Sequence, residues 1–192
     1  MEQMRSKETI VYGGAFNPPT LAHLAILNAC IEYAQTAKAD VWLMPSGDRT
    51  DKTIPTPRET RMAYVEAMIE DANESDFNTE VVSTELDREI MVETYDTVME
   101  LQQTHPDRNF TFVFGADSTE TMASWKGGDE LLETLSMLVV ARPGSRMNPM
   151  AKRAVSLTAQ TPNTSSTEVR TLLAQGESVD HLVGRSVALL LQ

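Results

Sequence analysis

Short apolar runs alternate with segments of helical periodicity along most of this chain, and that alternation constrains the fold more than any other feature. The runs are rich in β-branched and aromatic residues, which predicts strands. They cover residues 9–12, 40–45, 77–83, 109–114, 135–141 and 155–158. Helices are predicted over residues 21–37, 58–71, 94–103, 129–134, 166–175 and 186–191. Nearly continuous apolar strands separated by helices indicate a doubly wound, Rossmann-like α/β fold, with a parallel sheet covered on both faces.

The length of 192 residues, 41% of them apolar, suits one domain built around one core. A chain of this size buries roughly 70% of the surface that its unfolded form exposes, so it needs no disulfide to be stable. We therefore expect a single domain over residues 1–192, with a C-terminal helical part that begins at about residue 166.

Cysteine content and charge narrow the possible partners. One cysteine, Cys30, excludes an internal disulfide and favours a reduced, cytoplasmic setting. The longest strongly apolar run, residues 135–141, is far shorter than the roughly 20 residues of a membrane-spanning helix, so no membrane is expected as a partner. A net charge of −12 argues against nucleic acid, which is bound through basic patches. The expected partners are small molecules. The sequence is also compatible with a homo-oligomer, although no feature of it requires one.

The loop GGAFNPPTLAH, residues 13–23, follows the first predicted strand and leads into the first predicted helix. Gly13 and Gly14 let backbone N–H groups approach a ligand, and the N-terminus of the following helix favours an anion. Ligands of open α/β sheets bind at this edge, outside the carboxyl ends of the strands. The loop has neither the Walker A pattern nor the GxGxxG pattern of hydride-transfer enzymes, so it predicts a phosphate site of another kind.

Several segments of this chain are similar to known signatures. GGAFNPPTLAH resembles the GGxFxPxHxGH signature of the nucleotidylyltransferase superfamily, and SSTEVR at residues 165–170 resembles its second signature, ISSTxxR. Between them, GADS at 115–118, Trp125 and ARPG at 141–144 are similar to the bacterial nicotinate mononucleotide adenylyltransferases. The resemblance covers nearly the whole chain. It implies transfer of the adenylyl group of ATP to a pyridine mononucleotide, which gives a dinucleotide and pyrophosphate.

In that chemistry a phosphate of the acceptor is the nucleophile, so the protein has to position and neutralise phosphates rather than supply a base. The resemblance assigns His23 as a donor to an α-phosphate oxygen in the transition state. Thr20 stands where most relatives have the first histidine of HxGH, and its hydroxyl can bond a phosphate oxygen but carries no charge. The phosphopantetheine adenylyltransferases also have threonine there. Ala22 replaces the glycine of the motif.

The second signature is expected to form another phosphate grip. Ser166 and Thr167 would offer hydroxyls, and Arg170 would be a charged, catalytic donor one helical turn later. Lys52 matches the lysine of a PPHK loop that reads RTDK here. Arg61 matches an arginine that begins the second helix in relatives, with a helix-surface ion pair as the other interpretation. The resemblance also implies ATP or phosphate binding by Gly13, Gly14, Ala15, Phe16 and Gly115.

Further side chains between the two signatures are expected to contact the nucleotides. Asp117 follows a strand and a glycine, where its carboxylate would accept from the ATP ribose; an Asx turn is the other interpretation. Trp125 matches an aromatic residue that stacks on the pyridine ring, and Thr94 matches a threonine that contacts the same nucleotide. Glu93 and Lys126 stand where relatives often have aromatic residues, which leaves nicotinate and nicotinamide both open. Further pyridine-nucleotide contacts are implied for Asn17 and Arg142.

The function that the resemblance implies is adenylyl transfer from ATP to nicotinate mononucleotide, whereas the residue spacing alone indicates only a phosphate-binding α/β domain. Mg²⁺ is implied as the companion of ATP, held by phosphates and water, with no protein residue predicted as a metal ligand. One alternative is an adenylyltransferase for nicotinamide mononucleotide or another phosphate-bearing acceptor such as phosphopantetheine. The other is a non-catalytic relative that binds nucleotides without turnover, which the departures at Thr20, Ala22 and Asp51 suggest.

Overall fold

The structure, a computed structural model, describes residues 7–48, 54–73, 76–88 and 93–192. Six strands lie in these ranges: β1 (Lys7–Gly14), β2 (Ala39–Pro45), β3 (Thr79–Val81), β4 (Arg108–Gly115), β5 (Ser136–Val140) and β6 (Ala154–Leu157). Neighbouring strands pair in parallel, in the order β3-β2-β1-β4-β5-β6. The direction of strand addition reverses between β1 and β4, which confirms the predicted doubly wound α/β class.

Helices cover both faces of this sheet. In the described ranges they are α1 (Leu21–Ala37), α2 (Arg58–Glu70), α3 (Thr94–Thr104), α4 (Ala116–Thr121), α5 (Gly128–Thr134), α6 (Ser166–Ala174) and α7 (Arg185–Leu190). A 3₁₀ turn, Met122–Ser124, follows α4. Helices α1, α2, α6 and α7 contribute to the apolar cluster on one face, and α3, α4 and α5 to that on the other. Within the same ranges, no helix combines the length and apolar character needed to span a bilayer.

The strands are buried on both sides because successive residues face opposite helix layers. In β1, Ile10 and Tyr12 belong to the cluster on the α1 side, whereas Val11 between them belongs to the cluster on the α3 side. Trp42 and Leu43 of β2 divide between the same two clusters. A one-residue slip would exchange these two sets, so burial on both faces fixes the register and with it the loops at the carboxyl edge.

Two elements differ from the sequence prediction. Helix α4 is absent from the prediction because ADSTET has no apolar periodicity; its Thr119 hydroxyl donates to the carbonyl of Ala116 at 2.8 Å. Strand β3 spans Thr79–Val81 rather than the predicted 77–83, because it is a short edge strand paired with β2. The other predicted elements are present, with their ends shifted by at most two residues.

One carboxylate attaches helix α7 to the end of α2. Asp71, the C-cap of α2, accepts the backbone N–H of Ser186 at 2.8 Å and that of Val187 at 3.4 Å. A negative charge there also suits the positive end of the α7 dipole. Gly184 packs so closely against Asp71 that a Cβ at this position would collide with the carboxylate. Helix α7 is thereby held on the α1 side of the sheet.

Candidate functional site

A cavity of about 340 Å³ opens at the carboxyl edge of the sheet, beside the reversal between β1 and β4. One part of its lining, the glycine end, consists of Gly13, Gly14, Ala15 and His23. Another part, the tryptophan end, consists of Glu85, Glu93, Thr94 and Trp125. Gly115, Asp117 and Arg142 also line the cavity. Its volume lies in the range of small-molecule sites.

The glycine end is shaped by close packing of the chain on itself. Phe16 has a φ of +44°, and its fully buried ring packs edge-on against the rings of Tyr12 and His23, with centroids 5.3 and 5.5 Å away. A Cβ on Gly14 would lie only 3.1 Å from the Phe16 ring, so glycine permits this approach. Phe16 therefore supports the loop from inside and lies outside the cavity lining.

His23, in the first turn of α1, is held as a neutral imidazole. Its Nδ1 accepts the backbone N–H of Thr20 at 3.0 Å, and the Thr20 hydroxyl lies 2.9 Å from the same nitrogen. Burial, with a smaller effect of the Arg142 charge, lowers the pKa of His23 to about 4. At neutral pH the ring carries one proton, which we assign to Nε2 because Nδ1 is an acceptor. His23 can therefore donate a hydrogen bond from Nε2 without carrying a charge.

The segment SSTEVR braces the glycine-rich loop. Ser166 donates to the carbonyl of Pro18 at 2.8 Å, and Nη1 of Arg170 donates to the carbonyl of Asn17 at 2.6 Å. Nη2 of Arg170 donates to the Thr167 hydroxyl at 3.2 Å. These bonds join two segments that are about 150 residues apart in the sequence.

Arg61 is a buried cation that contacts the same loop. Its side chain is 4% exposed and donates from Nη1 to the carbonyls of Ser46 at 2.6 Å and Ala15 at 3.3 Å. Burial lowers the pKa of its guanidinium, an effect that the Asp48 charge opposes. Arg61 thus joins the loops that follow β1 and β2, and its interpretation as a helix-surface ion pair is wrong.

The tryptophan end is built from partly exposed side chains. Trp125 is half-buried and packs edge-on against Phe114, with ring centroids 6.2 Å apart. Thr97 links two charged neighbours, since its hydroxyl donates to Glu85 at 2.8 Å and accepts from Arg88 at 2.8 Å. The ring of Trp125 and the carboxylate of Glu85 therefore both belong to the cavity lining, whereas Arg88 lies behind it on Thr97.

The cavity lining contains many, but not all, of the residues that the sequence singles out. It includes Gly13, Gly14, Ala15, His23, Thr94, Gly115, Asp117, Trp125 and Arg142. It does not include Phe16, Asn17, Thr20, Ser166, Thr167 or Arg170. Thr20 and Asn17 are 1% and 7% exposed, and their side chains contact His23 and Thr56 instead of the cavity. Lys52 lies outside the described residues.

Several polar residues of the lining are given no site role by the sequence prediction, among them Ser46, Glu85, Thr97 and Ser118. Ser46 and Glu85 follow β2 and β3, so the rule that ligands bind beyond the carboxyl ends of strands could have pointed to them. Thr97 reaches the cavity through the packing of α3, which no motif marks.

Comparisons with known proteins find similarity over nearly the whole chain. Residues 11–172 match the cytidylyltransferase-like family model. The chain is 32% identical to a probable nicotinate-nucleotide adenylyltransferase of Exiguobacterium sibiricum, over 94% of this chain and 93% of that protein. It is 31% identical to a protein of the same name from Halalkalibacterium halodurans, over 89% and 82% of the two chains. Plasmodium falciparum nicotinic acid mononucleotide adenylyltransferase complexed with NaAD has the same fold, with a TM-score of 0.81 at 19% identity over 96% of this chain and 94% of that one.

Proposed function

Since this chain belongs to the cytidylyltransferase-like family and groups with its nicotinate-nucleotide adenylyltransferases, we propose that it transfers the adenylyl group of ATP to nicotinate mononucleotide. The products are nicotinate adenine dinucleotide and pyrophosphate. The observation that carries the proposal is the place of His23, a neutral imidazole donor beside a glycine-rich loop on a cavity at the strand-order reversal.

In this reaction an oxygen of the acceptor's phosphate attacks the α-phosphorus of ATP. A new P–O bond forms there while the bond from the α-phosphorus to the oxygen that bridges it to the β-phosphorus breaks. Pyrophosphate leaves with that electron pair. The nucleophile is already an anion, so the protein contributes positioning and charge stabilisation rather than a base.

His23 is the residue to which we assign stabilisation of the transition state. Its Nε2–H would meet an α-phosphate oxygen as negative charge increases there, and the N-terminus of α1 favours the same anion. Arg142, which is close enough to lower the pKa of His23, adds a positive charge to the lining. Thr20 would act through His23, because its backbone N–H fixes the ring and its tautomer.

The other residues are assigned ligand contacts according to where they lie relative to the cavity. Arg170 remains the candidate for a second phosphate contact, because its side chain is exposed and it already holds the glycine-rich loop. At the tryptophan end, Trp125 would stack on the pyridine ring and Thr94 would contact the same nucleotide. Asp117, exposed on the lining in the first turn of α4, would accept from the ATP ribose.

Mg²⁺ is proposed as the ion that accompanies ATP. Over the part of the chain that the structure describes, no group of three or more His, Cys, Asp or Glu side chains could hold a metal ion. Phosphate oxygens and water are the ligands that Mg²⁺ commonly keeps in nucleotide sites, so the residues present fit an ion bound mainly by the substrate. When bound, the ion would neutralise charge on the phosphates.

An acceptor assay tests the proposed function. The protein is incubated with MgATP and either nicotinate mononucleotide or phosphopantetheine, while pyrophosphate is followed and products are identified by mass. We expect nicotinate adenine dinucleotide and an equal amount of pyrophosphate with the first acceptor. If neither acceptor gives product but ATP still raises the thermal midpoint, the protein binds nucleotide without turnover and the proposal is wrong.

A further inference from the structure

The segment that carries Trp125 is a tight turn that depends on glycine at two positions. Gly127 has a φ of +62°, and a Cβ on Gly128 would collide with the backbone carbonyl of Met122. Two backbone hydrogen bonds close the turn, from the Trp125 N–H to the carbonyl of Met122 and from the Gly128 N–H to that of Trp125, both at 2.9 Å. Adjacent glycines lose much conformational freedom on folding, so contacts with neighbouring elements must offset that cost.

Helix α3 supplies such a contact through Tyr95. The phenol ring lies directly against the backbone of Gly127, where a Cβ would collide with it. Its hydroxyl donates to the carboxylate of Glu130, in the first turn of α5, at 2.8 Å. Tyr95 therefore contacts the chain on the C-terminal side of Trp125 at two points, the backbone of Gly127 and the side chain of Glu130.

A second link between α3 and this segment is weaker. Lys126 pairs with Asp96, and their side chains are 55% and 33% exposed. Exposed ion pairs contribute little to stability, because solvent screens them and two flexible side chains must be ordered. Packing of the Tyr95 ring on Gly127, rather than this charge pair, is therefore the main restraint that α3 places on the turn.

Tyr95 lies outside the cavity lining, whereas Trp125 belongs to it. Resting on the proposed function and its stacking of Trp125 on the pyridine ring, we propose that Tyr95 is a positioning residue for the acceptor. It holds the turn through Gly127, so that the indole keeps its edge-on contact with Phe114 and its place on the cavity. An indole that is fixed before the acceptor arrives loses less conformational entropy on binding, which lowers KM for the acceptor.

The test compares Tyr95→Ala with Tyr95→Phe in steady-state kinetics with each substrate varied in turn. We expect Tyr95→Ala to raise KM for nicotinate mononucleotide by up to about tenfold, the limit set by loss of the aromatic contact itself, with kcat and KM for ATP unchanged. Tyr95→Phe keeps the ring on Gly127 and loses only the bond to Glu130, so it should recover most of the wild-type KM. Gly127→Ala disturbs the same contact from the other side and should raise the same KM.

A double variant separates positioning from a general loss of stability. If Tyr95 acts through Trp125, its removal has no further effect once the indole is gone. Tyr95→Ala combined with Trp125→Ala should therefore have the KM of Trp125→Ala alone, whereas independent effects would multiply.

Tryptophan fluorescence gives a readout that does not depend on activity. The chain has two tryptophans, and Trp42 is only 4% exposed, so quenching by acrylamide reports mainly on Trp125. Tyr95→Ala should increase the quenching constant and shift the emission to the red, because the indole moves away from Phe114 into solvent. Tyr95→Phe should leave both close to the wild-type values.

Tyr33→Ala is the matched control, because Tyr33 is an exposed tyrosine on α1 and lies outside the cavity lining; its kinetics and quenching should stay at the wild-type values. Unchanged KM and quenching in Tyr95→Ala would overturn the inference and leave the proposed function intact. An equal increase in KM for both substrates, or effects that multiply in the double variant, would also overturn it. Absence of product in the wild-type protein would overturn the proposed function itself and this inference with it.

Discussion

The glycine end and the tryptophan end of the cavity are stabilised by different means. At the glycine end, buried or bracing arginines hold backbone carbonyls that are far away in sequence, as Arg61 holds Ala15 and Arg170 holds Asn17. At the tryptophan end, the half-buried ring of Trp125 and charged side chains form the wall. A substitution that disturbs the backbone geometry lowers the stability of the protein, whereas a partly exposed side chain can usually be replaced with little loss of stability. Substitutions at the first end should therefore change rate and stability, and those at the second should change the choice of acceptor.

The largest effect is expected from the glycine end. His23→Ala removes the Nε2–H donor and should reduce kcat by about 10²–10³, or roughly 2.7–4 kcal/mol, as for loss of one preorganised donor to a developing anion. The loss should be the same with any pyridine mononucleotide that serves as acceptor, because His23 is assigned to an α-phosphate oxygen of ATP, which every such reaction shares. Single-turnover rates with each acceptor measure it.

His181→Ala is the control for this substitution, because His181 is exposed and lies outside the cavity lining. It should retain wild-type kcat. If His23→Ala also kept the full rate, the role assigned to this imidazole would be wrong. A loss confined to one acceptor would show that the two ends are not separate in function.

The next effect concerns stability rather than rate. Arg61→Met keeps much of the side-chain volume but leaves the carbonyls of Ala15 and Ser46 without their charged donor. Hydrogen bonds to charged groups contribute about 1.5–3 kcal/mol, so we expect a decrease of that size in the free energy of unfolding. Urea denaturation measures it.

Arg58→Met supplies the comparison on the same helix, because Arg58 forms an exposed ion pair with Asp87. Exposed pairs contribute roughly 0–1 kcal/mol, so this variant should lose little stability. Equal losses in the two variants would show that Arg61 has no special part in holding the loops after β1 and β2.

The smallest effect is expected at the tryptophan end. Trp125→Ala should raise KM for the pyridine nucleotide by up to about tenfold and leave KM for ATP unchanged, since an aromatic contact contributes about 0.5–1.5 kcal/mol beyond its buried area. Trp125→Phe should recover most of the loss. Steady-state kinetics with each substrate varied in turn measure the two KM values. Equal increases in both would argue against stacking on the pyridine ring.

Periodicity alone predicts most of the framework of this protein, because strands buried on both faces leave long apolar runs in the sequence. It fails at α4, because ADSTET carries no apolar periodicity and one of its contacts is the bond from the Thr119 hydroxyl to the carbonyl of Ala116. The glycine-rich loop and His23 are recognisable because a phosphate site requires those residue types at that spacing. The partners of Arg61 and Arg170 are not predictable in this way, because which carbonyl each one reaches is a property of the folded chain.

The bond from Arg170 to the carbonyl of Asn17 spans 153 residues. A ribosome that adds 5–20 residues per second takes about 8–30 s to cover that distance. Throughout this interval the emerging chain has its glycine-rich loop but not the arginine that braces it. Nucleotide binding should therefore appear late in synthesis. The nascent chain should bind ATP only after Arg170 has left the ribosome.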